Sequence, residues 1–156
     1  MTDRITALLV HQNSETLAIL RGALERQGMR ILQAESRAAA KRMLSGLNPA
    51  PLVFTDTHLP DGTWADILAV AENAKRPVNV IVVARLVDTR FYVEAIETGA
   101  FDFIAPPFNA TDLAYVVRSA VDNIAARRAT HALAAQTAEK ALVVEAQEVD
   151  ARLTSN

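Results

Sequence analysis

The stretch from Pro51 to Leu68, PLVFTDTHLPDGTWADIL, changes character twice. It opens on an apolar run, Leu52 to Thr55, and sets Asp56 at that run's carboxyl end. It then turns through Leu59-Pro60-Asp61-Gly62 and takes up helical spacing, with Ile67, Leu68 and Ala71 on one side. A short apolar run, a Pro and Gly turn and a 3.6-residue period predict strand, turn and helix in succession. Thr63 or Asp61 is placed to open that helix, since either side chain accepts from the free N–H groups of a first turn. The next apolar run, Val78 to Ala84 (VNVIVVA), is nearly continuous in β-branched residues. Strands covered on both faces read this way, and they belong to parallel sheets.

Three further runs complete a series: Ile5 to Val10, Arg30 to Ala34 and Phe101 to Ile104. Helical segments fill the intervals. Ser14 caps one that carries Leu17, Leu20 and Leu24 and closes at Gly28. Ser36 caps another with Ala40, Met43, Leu44 and Leu47. Asp88 opens a fourth that ends at Gly99, and Asn109 a fifth with Leu113, Val117, Ala120 and Ile124. Strands alternating with helices across short connections mean βαβ units, a parallel sheet and helices on both faces. In such an open sheet, function gathers outside the carboxyl ends of the strands. The positions that matter are therefore Val10 to Asn13, Asp56 to Gly62, Ala84 to Asp88 and Ala105 to Phe108.

Composition narrows the function. The chain has 156 residues, 51% of them hydrophobic, and 16 basic against 18 acidic side chains. One domain with a tail to spare is expected at that length. The near balance of charge argues against a broad nucleic-acid surface. There is no cysteine, so disulfides, thiolate metal sites and a Cys nucleophile are excluded, and a reducing cytoplasm fits. The opening MTDRITALLV reads as a short polar lead into a strand with no cleavage pattern behind it, and no run is long enough to cross a membrane.

The first strand is followed by VHQNSETL, which holds no glycine. A dinucleotide fingerprint and a phosphate-cradling P-loop are therefore both missing there. G-x-S-x-G and H-E-x-x-H are also missing, and three histidines make a His-based metal cage improbable. An enzyme needs a constellation of groups, and the strand ends offer one carboxylate beside one His.

Asp56 at a strand end before Leu59-Pro60-Asp61-Gly62 resembles the receiver domain of two-component response regulators, whose phosphoaccepting Asp stands in this context. Gly99-Ala100-Phe101-Asp102-Phe103-Ile104-Ala105-Pro106-Pro107-Phe108 is similar to that family's Gly-Ala, aromatic and Lys-Pro-Phe segment. The resemblance covers residues 4 to about 124. It implies a five-stranded, doubly wound α/β fold of the CheY-like kind with strand order 2-1-3-4-5. It also implies a cis bond at Pro106-Pro107 and a switch-aromatic position at Phe103.

The departures from that family's pattern are as informative. Its Mg²⁺-holding acidic pair is replaced by His11 and Gln12, its Ser or Thr by Ala84, and its Lys by Pro106. A carboxylate that attacks a phosphoryl group needs the developing charge neutralised by metal and ammonium. Mg²⁺ prefers hard oxygen ligands, and an imidazole with one neutral amide is a poor set. Weak or absent Mg²⁺ binding and inefficient phosphorylation of Asp56 are expected. Asp56 has two plainer readings, an inherited ion pair with Arg85 or His11, or a residual phosphorylation site. His11 is read either as an ordinary hydrogen-bonded loop histidine or, since a nearby carboxylate raises a His pKa, as half of a pH-sensitive pair with Asp56, while Arg85 would stand in for the missing Lys. Phe103 is expected to stay inward over Ala84 or to be plain core, and Trp64 to be a packing residue.

From Ala125 the texture changes. Residues 127–156 hold eight alanines, four basic and four acidic side chains, and no Gly, Pro or aromatic. Such a composition favours helix. Leu142, Ala146, Val149 and Leu153 keep a heptad-like spacing that Glu139 interrupts. A receiver domain over 1–124 with a helical, dimer-forming extension over 125–156 is the expected organisation. The expected function is signalling by contact with a protein partner, a sensor kinase or an output protein. A homodimer through the fourth helix, fifth strand and fifth helix, continued by the extension, is expected with it. The pseudo-receiver part of an RNA-binding antitermination regulator is the alternative, although no basic, bundle-like module follows residue 130, where Lys140 and Arg152 stand among four acidic side chains. His131 lacks an acidic neighbour to serve as base, which argues against phosphotransfer at that ring.

Overall fold

A computed structural model of the chain describes residues 4–154, the last two as backbone only. Met1–Asp3 of the polar lead, and the side chain of Leu153, lie outside the described set. The elements follow the expected alternation: β1 Thr6–Val10, α1 Glu15–Arg26, β2 Arg30–Ala34, α2 Arg37–Leu44 and β3 Leu52–Asp56. A small hairpin, β4 His58–Leu59 and β5 Gly62–Thr63, leads into α3 Trp64–Glu72. Then come β6 Asn79–Val83, α4 Thr89–Thr98, β7 Asp102–Ile104 and α5 Ala110–Thr154. The main sheet runs β2-β1-β3-β6-β7 and every pair in it is parallel. With the hairpin set aside, this is the expected order 2-1-3-4-5.

Strand alternation divides the core between two faces. Leu8, Val10, Val53 and Val82 point toward α2, α3 and α4. Ala7, Leu9, Phe54 and Ile81 point toward α1 and α5. All five residues of β6 are buried, which is why its sequence shows no polar alternation. The caps behave as their chemistry dictates. Ser14 Oγ accepts from Leu17 N–H at 3.3 Å, and Ser36 Oγ from Ala39 N–H at 3.0 Å. Asp88 and Asn109 accept from the first turns of α4 and α5. Gly99, at φ 120°, ends α4 where a side chain would be strained.

One expectation is corrected. Asp61 opens no helix of its own, because Thr63 holds the start of α3, its N–H given to Asp66 Oδ2 at 2.8 Å. Asp61 instead reaches across to α2, taking the N–H of Arg37 at 2.7 Å and of Ala38 at 3.0 Å. The turn thereby fastens two helices that are adjacent in space. A Cβ added at Gly62 beside it would stand 2.5 Å from Asp66 Oδ2 and 3.3 Å from Arg37 Cδ, so a larger residue there would have to displace the Asp66 carboxylate.

The fifth helix runs 45 residues, about 68 Å at 1.5 Å per residue. Leu113, Val117, Ala120 and Ile124 bury against the domain. Polar grips continue to Arg128, and residues 129–152 are exposed on every side. Leu142 and Val149 of the heptad-like seam are more than half exposed. No helix among the described residues is long and apolar enough to cross a membrane.

Candidate functional site

The parallel strands deliver His11, Asp56, Ala84 and Ala105 to one end of the sheet. Asp56 closes β3, half-buried, its Oδ1 accepting the N–H of Thr57 at 2.8 Å. Thr55 beneath it is fully buried and gives its hydroxyl to the Asp56 carbonyl at 3.0 Å.

His11 is buried, and its Nδ1 accepts the N–H of Ser14 at 3.1 Å. The adjoining Asn13 bends the loop through a left-handed conformation, φ 55°. Burial pushes the His11 imidazole below its ordinary pKa, against the opposing pull of the Asp56 carboxylate. The ring is thus the hydrogen-bonded loop histidine of the first reading, and the upward shift of the paired reading is absent because desolvation disfavours the imidazolium more than Asp56 favours it. Among the described residues, no ion pair joins Asp56 to His11 or to Arg85, whose side chain is exposed.

This donor set does not suit Mg²⁺. The imidazole nitrogen that faces Ser14 is already used, Gln12 is exposed and neutral, and Asp56 contributes one carboxylate. No group of three or more His, Cys, Asp or Glu side chains is placed to hold a metal among the described residues. Ala84 and Pro106 offer neither hydroxyl nor ammonium at the other two strand ends. The Pro106–Pro107 bond is cis, as the resemblance implied.

Beside this end lies an aromatic chain that the sequence did not announce. Phe103 on β7 is buried, its ring 5.2 Å from Phe91 and 5.9 Å edge-on from Tyr92, both on α4. Phe91 in turn lies 5.4 Å from Trp64 at the start of α3. Phe103 is therefore inward and Trp64 is a packing residue, as expected. The partners on α4 were hidden because Phe91 and Tyr92 are adjacent and so fit no single apolar stripe. Ala84 packs against the same core. Leu86 and Val87, between β6 and α4, are each 80% exposed. They continue into a largely exposed apolar face with Tyr92, Val93 and Ile96 of α4 and Tyr115 of α5.

Asp102, at the start of β7, was quoted in the motif without a role. It is half-buried, accepts from Phe103 N–H at 2.7 Å, and burial raises its carboxyl pKa.

Residues 7–118 match the family model of the response regulator receiver domain. The photosynthetic apparatus regulatory protein RegA of Rhodovulum sulfidophilum is 29% identical over 68% of this chain and 57% of its own length. The DNA-binding transcriptional regulator NtrC of Rhizobium meliloti is 26% identical over 74% of this chain and 24% of its own. The chain thus spans between a quarter and three-fifths of the length of these relatives. A response regulator receiver domain protein from Clostridium thermocellum superposes with TM-score 0.64 at 25% identity, over 76% of this chain and 94% of that one. A CheY-like receiver domain protein from Methanospirillum hungatei gives TM-score 0.64 at 21% identity over 78% and 97%, a likeness of fold alone.

Proposed function

The chain belongs to the response regulator receiver domain family, and on that premise we propose that it is a degenerate receiver, one that signals without efficient phosphorylation of Asp56. The observation that carries this reading is the engagement of His11 Nδ1 by Ser14 N–H. A buried imidazole serving its own turn replaces a carboxylate that would hold metal, and Ala84 and Pro106 leave the developing phosphoryl charge without a hydroxyl or a cation. Phosphate chemistry is therefore not what sets the state of the domain. Phe103 is inward already, held by Phe91 and Tyr92, and α4 is placed by that packing.

Output on this reading is contact with a protein, a sensor kinase or an output domain, in the cytoplasm. The exposed apolar face of α4 and α5 is the surface for it, and the exposed stretch of α5 extends that surface. A homodimer through the same face and helix is part of the proposal. Leu142 and Val149 stand exposed on its heptad-like seam, and a second copy would cover them.

Incubation with acetyl phosphate and Mg²⁺, followed by intact mass measurement, tests the central point. A mass unchanged by the donor is expected, and near-stoichiometric phosphorylation overturns the reading. Light scattering of the full chain beside a chain ending at Arg128 tests the dimer. A dimer that becomes a monomer on shortening is expected, and two monomers remove α5 as the pairing element.

A further inference from the structure

The opposite end of the sheet carries a polar cluster that none of this uses. Asn79, the first residue of β6, is buried and has every hydrogen-bonding group of its side chain engaged. Its Nδ2 donates to the Ala120 carbonyl and to Asn123 Oδ1, each at 3.0 Å, both on α5. Its Oδ1 accepts from Arg127 Nη1 at 2.6 Å, and the same nitrogen reaches the Val78 carbonyl at 3.2 Å. One residue on, Arg128 gives Nε to the Pro77 carbonyl and Nη2 to the Pro49 carbonyl, both at 2.9 Å.

These carbonyls precede the β3–β6 ladder, which begins at Leu52 and Asn79, so strand pairing does not occupy them. Two neighbouring guanidiniums, each with a fixed fork of donors, close on them instead. Their position on the helix matters. The last apolar anchor of α5 is Ile124, and from residue 129 to 152 every side chain is exposed. The arginine pair therefore sits where the helix leaves the domain. The projecting arm beyond, residues 129–152, is about 36 Å long, so small slack at its root becomes a large displacement at its tip.

We propose that Asn79, Asn123, Arg127 and Arg128 form a clamp that makes the domain and the projecting half of α5 one rigid body. The clamp grips the N-terminal ends of β6 and the segment before β3, the two strands whose far ends carry Ala84 and Asp56. Whatever the arm holds is thereby presented in a set direction relative to the sheet. This does not depend on whether Asp56 is phosphorylated.

The absence of cysteine makes a clean distance measurement available. Nitroxides at Lys41→Cys on α2 and Lys140→Cys on the arm, with labelled chains diluted in unlabelled ones, report the direction of the helix by pulsed electron resonance. A single narrow distance distribution is expected for the otherwise native chain. The double substitution Arg127→Ala with Arg128→Ala should broaden it about twofold or more, as a locally released segment does. Alanine is the better helix former, so broadening would not reflect a weakened helix. Asn123→Ala, on the helix and less disruptive than a change at buried Asn79, should broaden it in the same sense. Arg118→Ala, an exposed change on α5 away from the clamp, should leave it narrow. A distribution already broad in the native chain, or one unchanged by the arginine pair in protein whose circular dichroism is native, overturns the clamp.

Discussion

His11 Nδ1 accepts the backbone N–H of Ser14 at 3.1 Å, so the ring at the end of β1 is committed to the turn that starts α1. Protonation at Nδ1 would break that bond and leave a buried charge. Burial accordingly lowers the pKa in the folded state below its ordinary 6.5.

The sign follows directly. Above 6.5 the ring is neutral whether the chain is folded or not, and the full stability is present. As pH falls below that value the unfolded chain takes up a proton that the folded chain resists, so stability declines until the folded pKa is passed. His11→Asn keeps an acceptor for Ser14 and removes the titration. Urea unfolding across this range should show the native chain losing stability relative to the variant as pH falls. Parallel curves for the two proteins would exclude His11 as the source.

Asp61 joins the turn after β3 to the first turn of α2 through two backbone N–H groups, and these bonds hold its carboxyl below the usual pKa of 3.8. Its contribution is complete above that pH and is lost as pH falls through the lowered folded value. Asp61→Ala should therefore lower stability at neutral pH, and the gap to the native chain should close in acid. A gap that persists once the carboxyl is protonated would assign the loss to the turn's backbone rather than to the charge.

The fold was legible because its signals are local: β6 is apolar from Val80 to Val83, Ser14 and Ser36 sit one residue ahead of their helices, and Gly99 closes α4. Asp56 was legible for the same reason, as a polar residue ending an apolar run. What stayed hidden depends on partners distant in the chain. Asp61 was read as a cap for the helix that follows it, yet it caps α2, which precedes it. Which of its two readings His11 follows could not be settled from the chain, because a neighbouring Asp is visible in sequence and the degree of burial is not. Nothing beside Asn79 in the chain marks its role, which appears only when α5 crosses the start of β6.

Phe103 is wedged among rings on α4, with Tyr92 on its exposed side and Phe91 on its buried side. Phe103→Ala removes a buried ring and both contacts, and it should cost about 3–5 kcal/mol in urea unfolding. Tyr92→Ala loses an edge-on contact from an exposed ring and should cost about 1 kcal/mol. Equal costs would mean that the cluster is not organised around Phe103.

If the proposed loss of phosphorylation arises at these four positions and nowhere else, then His11→Asp, Gln12→Asp, Ala84→Thr and Pro106→Lys together should return it. The frame for such a site is intact, since Asp56 closes β3, Ala84 follows β6 and the cis bond to Pro107 is present. An aspartate at position 11 can also accept the Ser14 N–H, so the turn into α1 is kept. The two new carboxylates supply hard oxygen ligands for Mg²⁺, and the lysine supplies the cation. With acetyl phosphate and Mg²⁺ the fourfold variant should gain one phosphoryl group by intact mass, and Asp56→Asn in that background should abolish the gain. A folded fourfold variant that still refuses the phosphoryl group would place the block in the packing around Phe103 and α4, and not in the missing side chains.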